Sequence, residues 1–178
     1  MNILILFDSQ FSNIKNIAEA IGAGFDSQDQ VRVLAAAKVT TKDLQDIQIL
    51  VVGSPTQGGG AIQPLPVFLE RLSETALNSI AVAAFDTRFL EEKQNGALRL
   101  VITIIGYAAP RLAKQLKRKG GTLVVQPKGF IVEGKDRSLA DGELKKAKNW
   151  AQRIEENTGK WQFWHTFPVY VFPAWQFH

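Results

Sequence analysis

The residues best suited to bind a ligand stand in three short segments, each directly after an apolar run of strand length. The first segment carries hydroxyl and amide groups at Ser9, Ser12 and Asn13. Such neutral donors, together with the backbone N–H groups at the start of a helix, are typical of a loop that holds a phosphate group. Ser12 or Asn13 could equally serve as an ordinary helix N-cap, so this segment alone leaves both interpretations open.

The second segment follows the apolar residues 46–53 and contains three consecutive glycines, Gly58, Gly59 and Gly60. Glycine adopts backbone angles that other residues avoid, and it lets a flat ligand approach the main chain closely. A flexible turn would have the same composition. We favour a binding role, because the glycines come just beyond the carboxyl end of a predicted buried strand, where ligands bind in open parallel sheets.

The third segment consists of Asp86, Thr87, Arg88 and Phe89, and it directly follows the apolar residues 80–85. The Phe89 ring could stack on a planar ligand, and the Arg88 guanidinium could bind an anion or a partner protein. Taken singly, Phe89 is more typical of a core residue than of a ligand contact.

Apolar runs that alternate with amphipathic stretches predict an α/β fold with a parallel sheet covered by helices on both faces. The predicted strands are residues 3–7, 31–34, 46–53, 80–85 and 122–125, and residues 130–132 could belong to the fifth strand. The predicted helices are residues 13–24, 66–77, 109–119 and 141–157. Residues 98–105 fit a buried strand or an apolar loop, and their pattern does not decide between the two.

Composition excludes several classes of site. The 178 residues include no cysteine, so a disulfide and a Cys-ligated metal or iron–sulfur site are impossible, and two histidines argue against a multi-histidine zinc site. The chain has neither the Gly-x-Gly-x-x-Gly motif of NAD sites nor the Gly-Lys-Ser/Thr motif of P-loop proteins. No apolar run reaches the ~18 residues of a membrane span, and the first residues lack a basic region and a cleavage signal, so we expect a cytoplasmic protein. A net charge of +4 is too small to indicate nucleic acid.

Taken together, the three segments resemble those of the flavodoxin family, and the resemblance covers residues 1–157. Residues 7–21 are similar to the family's phosphate loop with its helix, residues 51–60 to its second loop, and residues 85–89 to its third. Two further segments, 120–131 and 141–153, resemble the family's last strand and last helix. The resemblance implies an α/β three-layer sandwich with a five-stranded parallel sheet of order 2-1-3-4-5, and FMN as the cofactor.

The same resemblance implies a role for each segment. The FMN phosphate would be held by Ser9, Gln10, Phe11, Ser12, Asn13 and Ile14. One face of the isoalloxazine ring would be lined by Pro55, Thr56, Gln57, Gly58 and Gly59. The other face would be lined by Asp86, Thr87, Arg88 and Phe89.

Three of these positions depart from the family pattern. Ser12 stands where the family has glycine, Ile14 where it has a hydroxyl residue, and Gln57 where it usually has an aromatic ring. The chain is also basic, whereas the family's electron carriers are usually acidic. Each lost hydrogen bond or ring contact costs about 1 kcal/mol, which would weaken FMN binding without abolishing it.

The function implied by the resemblance is electron transfer through FMN to a redox protein partner. No catalytic residue is then needed, because the flavin carries the chemistry. Two alternatives stay open: an FMN-dependent NAD(P)H:acceptor oxidoreductase, and a flavin-free module of the same fold that binds a partner through its basic helices or its tail. We expect neither a nucleic-acid partner nor a metal.

Composition changes near residue 160, which predicts a domain of residues 1–158 and an aromatic tail of residues 159–178. Residues 161–178 hold 8 of the 17 aromatic residues and no charged residue. The tail could cover its own domain, contact a second copy or another partner, lie at a membrane surface, or be a segment outside the native coding sequence. We expect it to pack on the domain or in a homodimer, with six rings mostly buried: Trp161, Trp164, Phe167, Tyr170, Phe172 and Trp175.

Overall fold

A computed structural model describes residues 1–8, 12–56, 64–89, 107–133 and 138–166, with side chains as far as Gln162. The strands are β1 (Asn2–Phe7), β2 (Gln30–Ala35), β3 (Ile49–Pro55), β4 (Ala81–Phe89), β5 (Thr122–Leu123), β6 (Lys128–Glu133) and β7 (Ser138–Leu139). The α-helices are α1 (Ser12–Gly22), α2 (Leu65–Arg71), α3 (Ala108–Arg118) and α4 (Glu143–Thr166). Two short 3-10 helices, Ala36–Lys38 and Thr41–Leu44, follow β2.

The strands form one sheet of order β2-β1-β3-β4-β6-β7, and β5 pairs with β4 beside β6. The pairings are parallel except the one between β6 and β7. Both faces of the central strands are buried, which explains why β1 and β3 are continuous apolar runs rather than alternating ones. The α/β architecture predicted from the sequence is therefore confirmed.

Alternate residues of β1 supply the two halves of the core. Ile3 and Ile5 belong to one buried cluster, which also contains apolar residues of α1 and α4. Leu4 and Leu6 belong to a second cluster with residues of α2 and α3. The sheet is thus covered on both faces, and its central strands are fixed where they end.

The predicted five-stranded, all-parallel sheet of order 2-1-3-4-5 is wrong in strand count and in strand order. The place next to β4 is shared by two strands, because residues 124–127 interrupt the edge and include Pro127, which has no N–H to donate. The antiparallel strand β7 then adds to β6 through the pairs Val132–Leu139 and Glu133–Ser138. Over the described residues the sheet consequently has seven strands and is mixed; residues 98–105, for which the sequence left a strand or a loop open, lie outside the described residues.

Two predicted helices have different lengths in the structure. The helix predicted over residues 66–77 ends at Arg71, and Leu77 instead donates its N–H to the carbonyl of Lys119. The helix predicted to end at residue 157 continues to Thr166, so it crosses the compositional change near residue 160 without a break. Trp161 is half-buried against the core cluster of α1 and α4, while the other five tail rings named above have no described side chain.

The outer edge of β6 is covered near its end. The Ile131 N–H donates to Glu143 Oε2 at 3.1 Å, and the Ile131 carbonyl accepts the N–H of Ala140 at 2.9 Å. Glu143 is 2% exposed, and its other oxygen accepts a hydrogen bond from Lys146 Nζ. Both outward-facing main-chain groups of Ile131 are therefore occupied.

In the parts of the chain that the structure describes, no helix combines the length and the apolar character that crossing a bilayer requires.

Candidate functional site

The carboxyl ends of β1, β3 and β4 lie side by side at one edge of the sheet. Phe7 is paired with Gly53, and Gly53 is paired with Phe85, so the residues after these three start at the same level. The third segment was predicted to follow its strand, but residues 86–89 are the last part of β4, because they continue the pairing with β3 and β6. The Asp8 N–H donates to the Gly53 carbonyl at 3.1 Å, and the Thr56 N–H donates to the Thr87 carbonyl at 3.0 Å. The described parts of the three segments therefore meet at one edge. Six of the predicted site residues lie outside the described residues: Ser9, Gln10, Phe11, Gln57, Gly58 and Gly59.

Helix α1 begins at this edge with Ser12, whose side chain is exposed. Its first turn contains no acidic residue, and the backbone N–H groups of a first helical turn lack partners within the helix. Asn13 is half-buried, and Ile14 is fully buried in the core. The side chain of Ile14 therefore anchors the helix, and only its backbone N–H is suited to contact an anion. The first three positions of α1 offer neutral donors, and the cation that follows, Lys15, is paired with Glu19.

Asp8 lies between the end of β1 and the start of α2. Its side chain is fully buried, and Oδ1 accepts the Leu65 N–H at 3.1 Å. Leu65 needs this acceptor because the N-cap of α2 is Pro64, which has no capping side chain. The other oxygen, Oδ2, is buried and has no hydrogen-bond partner among the described residues. Burial raises the pKa of Asp8 from its ordinary 3.8 to about 6, although the Ser54 hydroxyl and the Leu65 N–H lower it in part.

Thr56 and Asp86 together cap helix α3. The Ala108 N–H donates to Thr56 Oγ1 at 3.0 Å, and the Ala109 N–H donates to Asp86 Oδ2 at 2.9 Å. The local N-cap residue is Tyr107, which makes no capping hydrogen bond with its side chain. The ends of β3 and β4 therefore supply what the helix itself lacks, and this fixes the second and third segments to each other.

The Arg88 guanidinium is held from three sides. Its Nε and one terminal nitrogen donate to the two oxygens of Asp86, at 2.6 and 2.8 Å. Its central carbon lies 3.6 Å from the centroid of the Tyr107 ring, and a Cβ added at Gly129 would come within 2.2 Å of Nε. Burial raises the pKa of Asp86, and the hydrogen bonds from Arg88 offset part of that rise. Arg88 thus neutralises a buried carboxylate and stacks on a ring.

An aromatic cluster lies beneath the third segment. The rings of Phe85, Phe130 and Trp150 contact each other edge to face, with centroids 6.1 to 6.2 Å apart. The Phe85 ring covers Gly53, where an added Cβ would come within 2.1 Å of the ring. Because of this packing, the position of Gly53 near the end of β3 requires a glycine. The same packing fixes Phe85, which directly precedes the third segment. Phe89, at the end of β4, is half-buried rather than part of the core.

Sequence reasoning missed three contributors to this edge: Asp8, Tyr107 and Gly129. Asp8 could have been noticed in the sequence, because it directly follows the apolar run at residues 3–7, and a carboxylate so close to a buried strand is unusual. Tyr107 and Gly129 contribute through their contacts with Arg88, and the sequence near either residue does not indicate these contacts.

Within the described residues, no group of three or more His, Asp or Glu side chains is placed to hold a metal ion.

Known structures resemble this chain although its sequence does not match known families: no family model matches it, and neither does any curated protein. A flavodoxin from the domain Archaea superimposes with a TM-score of 0.69 at 21% identity, over 89% of this chain and 99% of that one. Oxidised flavodoxin 1 from Bacillus cereus gives a TM-score of 0.66 at 13% identity, over 88% and 98%. Rubredoxin oxygen:oxidoreductase from Desulfovibrio gigas gives 0.66 at 16% identity, over 89% of this chain and 36% of that one. At these identities the likeness establishes the fold.

Proposed function

We propose, from the flavodoxin-like fold of this chain, that it binds FMN at the carboxyl edge of β1, β3 and β4 and passes electrons to a protein partner. The observation that carries the proposal is that the ends of β1, β3 and β4 lie together at one edge, where α1 begins. Ligands of open parallel sheets bind outside the carboxyl ends of the strands, where the strand order reverses. In this sheet the order reverses between β1 and β3.

The described residues fit a phosphate group at the start of α1. Ser12 and the first backbone N–H groups of the helix are neutral donors, and the helix dipole favours an anion there. The Asp8 side chain stands directly before the phosphate segment, and its raised pKa reduces the negative charge beside a phosphate at mildly acidic pH. In this proposal Ser9, Gln10, Phe11 and Asn13 complete the phosphate site.

The walls for a flat ring would be the second and third segments. Pro55 and Thr56 lead into one wall, and Asp86, Thr87, Arg88 and Phe89 form the other. The hydrogen bonds of Thr56 and Asp86 to α3 keep the two walls at a fixed spacing. Bound FMN supplies the redox chemistry, and this chain's residues bind it, orient it and exclude water from one of its faces.

The test is a titration of the purified chain with FMN and with riboflavin, followed by absorbance and flavin fluorescence. We expect saturable binding of FMN, with riboflavin bound more weakly because it lacks the phosphate. Absence of FMN binding up to about 100 μM, which corresponds to roughly −5.5 kcal/mol, would contradict the proposal.

Turnover measurements then distinguish a carrier from an enzyme. For an electron carrier we expect the FMN-loaded chain, once reduced chemically, to be reoxidised by an added one-electron acceptor. We expect no sustained consumption of NADH or NADPH. Sustained consumption in the presence of the acceptor would instead identify an NAD(P)H:acceptor oxidoreductase.

A further inference from the structure

The positive charge of the chain is concentrated in one segment. Residues 107–132 contain six Lys or Arg residues and no Asp or Glu. Since the whole chain carries a net charge of +4, the remaining residues together carry −2. The segment comprises α3, β5 and most of β6, and it lies at the β6 side of the sheet. An excess of positive charge therefore lies on the β6 side of the sheet, although the net charge of the chain is modest.

Three of these cations surround an open groove of about 670 Å³ beside α3. Lys114, Lys117 and Arg118 are all exposed, and they stand around a floor that includes Ala113 and Leu123. Pro110 and Pro127 close the apolar part of the groove. An apolar centre with a polar rim is the usual arrangement of a protein–protein interface.

A second groove, of about 630 Å³, lies across the ridge formed by Gln126 and Pro127. It is lined by the cations Lys128, Lys146 and Arg153, and no Asp or Glu is among the described residues that line either groove. Lys146 is paired with Glu143. The two grooves share the ridge, so they form one continuous surface, which we call the basic edge.

Folding alone does not account for these charges. Lys117 and Arg118 stand in the last turn of α3, where cations complement the helix dipole. Lys114 stands a turn earlier, and neither it nor Lys128 nor Arg153 forms an ion pair within the described part of the chain. Like charges gathered without counter-charges repel one another, which is a cost that a binding role would explain.

We propose that the basic edge docks an acidic segment of a partner protein, with carboxylates beside the exposed Lys and Arg residues and an apolar side chain on the Ala113–Leu123 floor. A partner of this kind fits better than nucleic acid. Among the described residues that line the grooves, the aromatic one is Trp150. It is 6% exposed and packed against Phe85 and Phe130, so it offers no face on which a base could stack. The proposal does not depend on flavin binding.

The experiment uses a defined probe, a short blocked peptide with leucine at its centre and alternating aspartate and glutamate on both sides. Binding is measured by fluorescence anisotropy at low ionic strength, and the contact surface is mapped by NMR amide shifts of the labelled full chain. We expect saturable binding that weakens as salt is added, with the shifted amides in residues 110–128 and 146–153. A peptide with serine in place of leucine should bind more weakly.

A matched pair of double variants tests the location. Lys114→Glu with Lys117→Glu should weaken peptide binding by at least about tenfold at low salt, since two attractive contacts become repulsive. Lys38→Glu with Lys42→Glu makes the same change in net charge at the opposite edge of the sheet, beyond β2, and should weaken binding much less. Melting curves of both variants establish that they fold.

Three results would overturn the proposal. The first is equal weakening by the two double variants, because binding would then follow net charge alone. The second is a set of shifted amides outside the basic edge. The third is tighter binding of a thymidine oligonucleotide of equal charge at the same residues, which would identify a nucleic-acid surface instead.

Discussion

Replacing Asp8 with asparagine is expected to change how the stability of the fold depends on pH. Asparagine keeps an oxygen that can accept the Leu65 N–H, but it cannot ionise. In the wild-type chain the carboxyl group is fully buried, and one of its oxygens has no partner in the described part of the chain, so folding favours its neutral form. The substitution therefore removes a titration while preserving the cap of α2.

The magnitude follows from the pKa of Asp8, which burial raises from its ordinary 3.8 to about 6. Each unit of pKa difference is worth about 1.4 kcal/mol, so the group contributes up to about 3 kcal/mol. Because the folded state holds the proton more tightly, this contribution is fully present below pH 3.8 and is lost as the pH rises through 6. The wild-type chain should thus lose stability between about pH 4 and pH 6 through this group, and Asp8→Asn should not.

The assay is chemical denaturation of both chains at a series of pH values from 4 to 7. The measured quantity is the difference in free energy of unfolding between variant and wild type. We expect this difference to shift by about 2 to 3 kcal/mol in favour of the variant over that range. The change with pH matters more than the absolute value, since the new amide group of asparagine could leave an N–H without a partner.

Asp43→Asn is the matched control for Asp8→Asn. The Thr40 N–H and hydroxyl donate to the Asp43 carboxylate and lower its pKa, so its contribution is present at neutral pH and lost on acidification. Because this loss takes place below the ordinary pKa of 3.8, the difference between Asp43→Asn and wild type should stay nearly constant from pH 4 to pH 7. A difference between Asp8→Asn and wild type that stays constant from pH 4 to pH 7 would refute the reasoning, since Asp8 would then be ionised in both states.

Further predictions concern the candidate site and the tail. Ser12→Asp should weaken FMN far more than riboflavin, because a carboxylate would face the phosphate; equal losses in the two titrations would mean that Ser12 is a structural cap. Phe89→Ala should weaken both ligands by roughly 1–3 kcal/mol, and unchanged affinity and flavin fluorescence would remove Phe89 from the ring site. Arg88→Lys should lower the melting temperature, since lysine keeps the charge but loses the paired hydrogen bonds to Asp86 and the stacking on Tyr107. A chain that ends before Trp161 should be less stable to denaturant than one that ends after Thr166, by about 1–2 kcal/mol of lost apolar burial; equal stability would show that this ring is dispensable.

The central strands could be predicted from the sequence because both of their faces are buried. The apolar runs at residues 3–7 and 80–85 fall within β1 (Asn2–Phe7) and near the start of β4 (Ala81–Phe89). The run at 46–53 begins earlier than β3, since Asp46 has a positive φ and belongs to a turn. The split between β5 and β6 was not predictable in this way. Both strands are defined by their pairing with β4, and the apolar pattern of their own residues does not indicate where that pairing is interrupted.

The meeting of the three strand ends at one edge was predictable from the sequence, but the contacts between them were not. Strand ends in a parallel sheet share one edge, so the order of the segments in the chain was enough to bring them together. The cap that Thr56 provides for Ala108 joins residues far apart in sequence, as does the bond between Asp8 and Leu65. These contacts depend on the tertiary arrangement, and the pattern near either residue carries no sign of them.

The covered edge of β6 at Ile131 limits how copies of this protein can associate with one another. An exposed strand edge is a template on which another chain can add a strand, and strand addition leads to domain swapping or to fibrils. At Ile131 both outward main-chain groups are already occupied, by Glu143 and Ala140, so the sheet cannot grow there by backbone pairing. Association at Ile131 must therefore use side chains, and such contacts separate again when salt or competing ligand is added. Glu143→Ala would reopen the Ile131 N–H, so the cost of that change should appear as slow aggregation of the concentrated protein before it appears as a loss of ligand binding.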